Sequence, residues 1–152
     1  MLMSPALPGL WNKNISGGVL TRKQILLADD HVKFLEDVGA LLKEHYDIAG
    51  AVQDGQALAD AAQTLKPDLI ISDISMPVMT GFEAALRIQS LGLTSKLIFL
   101  TVQSSPAYVR RARSLGADGY VLKAHATEQL LKAVSTVLAG KTFISPELGA
   151  FD

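Results

Sequence analysis

Residues 68–83 read DLIISDISMPVMTGFE. The run DLIIS (68–72) is rich in Leu and Ile but too short for a helix, the pattern of a strand covered on both faces. It stops at an acid, Asp73, followed by a loop holding Pro77. From Gly81 the spacing turns helical, with Phe82, Ala85 and Leu86 expected inward. Strand, loop and helix in so short a stretch make one βα unit.

The same unit recurs on either side. QILLA (24–28) and DIAGAV (47–52) precede it; KLIFL (96–100) and GYVL (119–122) follow. Between these runs lie stripes at three- and four-residue steps. Phe34, Leu35, Val38, Leu41 and Leu42 form the first. Leu58, Ala61, Ala62 and Leu65 form the second, ended by Pro67. A fourth helix opens near Pro106, a residue suited to a first turn, and should bury Val109, Ala112 and Leu115. The last carries Leu130, Leu131, Val134, Val137 and Leu138 and stops at Gly140. Five alternations predict an α/β fold, a doubly wound five-stranded parallel sheet of flavodoxin-like order 2-1-3-4-5 with helices on both faces.

Composition agrees and excludes other classes. The 152 residues are 49% hydrophobic and 19% charged, unlike a disordered chain. There is no cysteine, which removes disulfide scaffolds, thiolate metal sites and cysteine nucleophiles. Fourteen Lys and Arg balance fifteen Asp and Glu, so the charge gives no footprint for nucleic acid and no polybasic membrane anchor. No apolar run spans a bilayer. MLMSPALPGLW at the start is broken by Pro5 and Pro8 and has no basic residue before Lys13, unlike a secretory signal. A cytoplasmic protein is expected. Residues 1–22 are expected to be a flexible arm, 23–141 one domain, and 142–152 a tail or linker.

The polar residues at the strand ends carry the chemistry. Asp29 and Asp30 end the first strand, Asp73 the third, Thr101 the fourth and Lys123 the fifth. In an open parallel sheet these ends share one edge, where ligands bind. Two carboxylates ~5 Å apart at an effective dielectric of ~20 repel by roughly 3 kcal/mol. Three together need a counter-charge, which a hard divalent cation with oxygen ligands supplies and Lys123 supplements. A carboxylate nucleophile beside Mg²⁺, an ammonium and a hydroxyl is a set of parts for phosphoryl transfer onto aspartate. Helix capping would explain any one of these aspartates, but not the set.

Those residues resemble the receiver domain of two-component response regulators. DISMPVMTGFE (73–83) is similar to the receivers' phosphoacceptor segment, with Met76–Pro77, Met79, Gly81 and Glu83 in place. The paired acids, Thr101 and the Tyr120-to-Lys123 spacing extend the likeness over about 23–140. The resemblance implies that Asp73 takes a phosphoryl group from a histidine kinase or phosphotransfer protein. It implies Mg²⁺ binding by Asp29, Asp30, Asp73 and the Ser75 backbone carbonyl, with Asp30 the likelier direct ligand of the pair. Thr101 resembles the switch hydroxyl, Lys123 the lysine that pairs with the phosphoryl group, and Tyr120 the aromatic that swings inward on activation.

Ala124 stands where many receivers have proline, a form found in the branch usually fused to helix-turn-helix modules. Val102 follows Thr101 where a smaller residue is commoner, and Ser75 and Gln103 occupy positions that tune phosphoryl lifetime in the family.

After Lys123 the chain is mostly one helix, leaving no room for such a module. KTFISPELGAFD (141–152) resembles the linker of the DNA-binding branch. The readings are therefore a single-domain receiver acting through protein partners, or the receiver part of a longer regulator; homodimerisation stays open. A phosphorylation-independent adaptor is the alternative. A flavodoxin-like cofactor binder would need a phosphate-cradling loop where ADDHVKF is acidic and lacks glycine. A phosphatase would carry an acid where Ser75 sits. His31 is expected to start the first helix, and Arg110, Arg111 and Arg113 to form a solvated face.

Overall fold

Odd and even positions of the strands point to opposite faces, and that parity separates the core into layers. In the computed structural model, which describes residues 21–149, Ile25 and Leu27 of β1 (Gln24–Ala28) pack with Leu35, Val38 and Leu42 of α1 (Val32–Leu42). Leu130, Val134 and Val137 of α5 (Ala126–Leu138) join them on the same face. Leu26 and Ala28 face the other way, onto α2 (Gly55–Leu65) and α3 (Gly81–Ser90). Further along that second face, Phe99 of β4 (Lys96–Thr101) and Tyr120 of β5 (Gly119–Leu122) meet α4 (Pro106–Ser114) through Val109 and Ala112. Each fully buried Leu, Ile or Phe contributes roughly 1.5–3 kcal/mol, so the strands between the helices anchor the domain.

With β2 (Asp47–Val52) and β3 (Leu69–Ser72) the strand order is β2-β1-β3-β4-β5, all neighbours parallel, as the sequence predicts. The chain turns one way from β1 to β2 and the other from β3 onward. β1 and β3 are neighbours, Ala28 opposite Ser72. The carboxyl ends of those two strands flank the point where the winding reverses, the place where open α/β sheets bind ligands.

Three local details differ from the sequence expectations. A sixth strand, β6 (Phe143–Ile144), pairs in parallel with β5, and Pro146–Leu148 form a 3-10 turn after it. Two residues are too few to show a strand period, so sequence pattern could not find it. β2 is an edge strand and only half buried, rather than covered on both faces. Leu65 and Leu86, expected inward, are exposed, and α3 buries Ala84, Ala85 and Ile88 instead. The arm expected over 1–22 lies outside the described residues apart from Thr21 and Arg22, as do 150–152 of the expected tail. Among the described residues no helix is long and apolar enough to cross a membrane.

Candidate functional site

Asp73 follows directly from β3, its N–H donating to Ala28 of β1 at 2.9 Å. That ladder bond brings the residue after β3 beside Asp29, the residue after β1. Both carboxylates are buried, Asp29 3% and Asp73 5% exposed. Charged groups so placed must be paired or ligated, and Lys123 supplies the pairing. Its Nζ lies 2.7 Å from Asp29 Oδ2 and 2.9 Å from Asp73 Oδ2, and 4.6 Å from the centre of the Phe34 ring. Burial pulls the lysine's pKa down, but the bonds to Asp29 and Asp73 outweigh it, and the net direction is up. Lys123 is therefore a fixed cation at neutral pH.

The remaining oxygens face elsewhere. Asp73 Oδ1 accepts the Ile74 N–H at 2.7 Å. Asp29 Oδ1 accepts the His31 N–H at 2.9 Å, and His31 Nδ1 stands 3.2 Å from Asp29 Oδ1 and 3.2 Å from Asp30 Oδ1. Asp29, Asp30, His31 and Asp73 each offer a ligand atom, all within 4.8 Å of one another. The carboxylate oxygens among them suit a hard divalent cation, which the like charges also call for. Sequence reasoning brought the three aspartates and Lys123 together correctly. His31, which follows the acidic pair in the sequence and is expected to start the first helix, both stands at its N-cap and lies against the two acids.

The loop after Asp73 owes its course to the motif that follows. A Cβ at residue 81 would collide with the Asp73 carbonyl oxygen, so only glycine lets α3 start so close. The Gly81 N–H donates to the Ile74 carbonyl at 2.7 Å. Thr80 and Glu83 then close a capping box on α3, Glu83 N–H to Thr80 Oγ1 and Thr80 N–H to Glu83 Oε1. Ser75, expected to offer its carbonyl, is exposed on this loop, while Met76 is buried beneath it.

Thr101 ends β4 fully buried, and its Oγ1 accepts the Gln103 N–H at 3.2 Å. The Tyr120 ring is also fully buried, its hydroxyl donating to the Gln103 carbonyl at 2.7 Å. Gln103 thus links the two residues, and the ring already lies inward. Burial, with smaller contributions from Tyr108 and Asp73, pushes the Tyr120 pKa up. Val102, which follows Thr101, is 69% exposed. Arg110, Arg111 and Arg113 are exposed on α4, and Ser105 caps that helix through Ala107 N–H.

Comparison with known proteins agrees with this geometry. Residues 25–135 match the response regulator receiver domain family. The chain is 36% identical over 126 residues to the transcriptional regulatory protein DesR of Bacillus subtilis (strain 168), covering 82% of this chain and 62% of that protein. It is 35% identical over 126 residues to the nitrate/nitrite response regulator protein NarL of Escherichia coli (strain K12), covering 82% and 58%. Among solved structures, the isolated REC domain of RcsB from Salmonella enterica serovar Typhimurium, determined with phosphomimetic BeF3⁻, superposes with a TM-score of 0.78. The two are 26% identical over 86% of this chain and 99% of that one. The signal receiver domain of a NarL response regulator from Mycobacterium tuberculosis gives 0.75 at 28% identity, covering 79% and 98%. The chain spans about three-fifths of the length of the curated relatives it matches, 62%, 64% and 59% for three of them.

Proposed function

The chain belongs to the response regulator receiver domain family, a family of signalling domains, and on that premise we propose that Asp73 is its phosphoacceptor. The observation that carries the reading is the convergence of Asp29, Asp30 and Asp73 with Lys123 at the switch point of the sheet. An Asp73 carboxylate oxygen forms a bond to the phosphorus of a phosphohistidine donor. The P–N bond breaks and its electron pair leaves with the imidazole.

Lys123 holds the Asp73 carboxylate in place beforehand and meets the oxygens of the transferred group afterwards. Asp29, Asp30, Asp73 and the Ser75 carbonyl are the groups that would hold Mg²⁺, and the oxygen-rich pocket fits such an ion. When bound, it supplies positive charge against the three equatorial oxygens of the transferring group. The Thr101 hydroxyl turns from the Gln103 N–H toward the new oxygens, and Tyr120 follows through its bond to the same residue. A local change of charge thereby biases a two-state element.

The partners follow from the chemistry. A histidine kinase or phosphotransfer protein donates the group. The receiver begins near residue 23 and runs past the expected boundary at 141, since β6 and the turn after it join its sheet and core, and its state is read by a protein partner or an output domain. Homodimerisation belongs to the same proposal; nucleic acid contact by this chain does not, since its charge is balanced. In one matched structure RcsB dimers are bound to DNA, a property stated for that protein.

The test is phosphoryl incorporation from a small acyl phosphate, and beryllofluoride binding, with and without Mg²⁺, in the parent and D73N. The parent responds only with Mg²⁺ and D73N not at all. Equal incorporation in both overturns Asp73 as the phosphoacceptor, and no response in either, with or without Mg²⁺, favours a phosphorylation-independent adaptor.

A further inference from the structure

A lysine ammonium carries three N–H donors. At Lys123 two of them face carboxylates, Asp29 Oδ2 at 2.7 Å and Asp73 Oδ2 at 2.9 Å. Among the described residues no third oxygen is bonded to it. The ring of Phe34 stands there instead, its centre 4.6 Å from Nζ. That lies within the ~6 Å over which an aromatic face attracts a cation, and the attraction grows where water is excluded. Only 13% of the Lys123 side chain is exposed.

Phe34 comes from the first turn of α1, shortly after the acidic pair. Leu35, Val38 and Leu42 of the same helix are buried in the core, whereas Phe34 is only partly buried and packs against it. Phe34, Asp29 and Asp73 help to line a gap of about 10 Å³, the size of one water. A leucine would serve the core contact as well, but it has no negative ring face to set against an ammonium. An oxygen in the same place would take the third N–H and tie the lysine down. We propose that Phe34 is a positioning residue for Lys123: its ring holds the ammonium over the two carboxylates and leaves one N–H uncommitted for an oxygen of the incoming phosphoryl group. The inference rests on the reading that Asp73 is the phosphoacceptor.

Two measurements on the full chain test it. The first is the rate of phosphoryl incorporation from a small acyl phosphate with Mg²⁺. F34L, which keeps the apolar contact and loses the ring face, slows incorporation about fivefold, while F34Y, which keeps the face, stays within about twofold of the parent. The second is urea unfolding in chelator of the parent, F34L, K123M and the double variant, which reads the contact without any phosphoryl chemistry. F34L destabilises the parent more than it destabilises K123M, because in K123M the charge is already gone. Parent-like incorporation by F34L, equal slowing in F34L and F34Y, or equal losses in the two unfolding backgrounds overturn the role of Phe34. D73N separates the underlying reading: incorporation retained in D73N overturns Asp73 as the phosphoacceptor, and the proposal with it.

Discussion

The two edges of the sheet use the same residue for opposite ends. At the amino edge, Asp68 and Asp118 each stand just before a strand and repeat one device. Asp68 N–H donates to the Gln24 carbonyl at 2.9 Å while its Oδ2 accepts the Gln24 N–H at 2.7 Å. Asp118 N–H donates to the Leu97 carbonyl at 2.8 Å while its Oδ2 accepts the Leu97 N–H at 3.0 Å. Each carboxylate clips its strand to a neighbour, β3 to β1 and β5 to β4. At the carboxyl edge Asp29 and Asp73 take one backbone N–H apiece, but they converge on each other and on Lys123. A carboxylate that satisfies backbone donors stabilises the fold. Carboxylates gathered around one cation leave charge waiting for a ligand.

The sharpest break of this comparison exchanges the edges. D73A loses phosphoryl incorporation entirely, whereas D118A keeps it, both read by mass spectrometry after exposure to phosphodonor and Mg²⁺. Loss in a folded D118A would show that the amino-edge clip governs the site as well.

Next in size is K123A. Removing the cation leaves two buried carboxylates uncompensated, a loss of about 3 kcal/mol in chelator by urea unfolding. Mg²⁺ should restore part of it, since a ligand of the native state alone stabilises by mass action. A loss in chelator below about 1 kcal/mol would mean that the pair is screened as on a surface. Because the Lys123 pKa is raised in the folded chain, its contribution is complete below the ordinary lysine range. It fades only as pH rises through the folded value, so the K123A difference stays flat across neutral pH.

D118A itself should cost about 1–2 kcal/mol, the price of an orphaned Leu97 N–H at a half-buried strand start. D30N, at the other edge, should cost less or stabilise in chelator, since it removes one of three like charges.

How much of this was legible beforehand follows from the same residues. β1 and β5 lie where the apolar runs put them, because a strand between helices must be apolar at every position, and β2 does so too although it is a half-buried edge strand. The gathering of Asp29, Asp30, Asp73 and Lys123 was legible too, since parallel strands deliver their ends to one edge. The role of a single aspartate was not. Asp54, Asp68 and Asp73 look alike in sequence, yet the first caps α2 through Ala57 N–H, the second clips strands and the third lines the pocket. Asp54 has a local partner, whereas Asp68 and Asp73 are set apart by partners distant along the chain, Gln24 and Lys123. β6 was hidden for the reason already given, although Ser145 beside it is fully buried, accepting the Leu122 N–H and donating to Gln129.

Y120F sharpens the contrast along the carboxyl edge. The hydroxyl's bond to the Gln103 carbonyl is worth about 1 kcal/mol at neutral pH. Burial raises the folded tyrosine's pKa, so from about pH 10 the unfolded chain releases a proton that the native one keeps. Stability of the parent then falls with rising pH. Y120F should fall less steeply over that range in thermal melts, and parallel curves would count against a buried, proton-retaining hydroxyl.

The smallest effect concerns backbone strain, which both edges also carry. Among the described residues two non-glycines have positive φ, Lys66 at 47° and Val78 at 70°. Lys66 is the C-cap of α2, a position where the left-handed turn closes the helix by its N–H to the Ala62 carbonyl. Val78 lies in the loop after Asp73, is 81% exposed, and is β-branched, the side chain least suited to that region. Packing does not explain a valine there. Asparagine tolerates the left-handed region, so V78N should stabilise by roughly 0.5–1 kcal/mol. If the strain only shapes the loop, phosphoryl incorporation at Asp73 stays within twofold of the parent. A V78N chain that gains stability but accepts the phosphoryl group tenfold more slowly would show that the exposed valine contacts the donor protein.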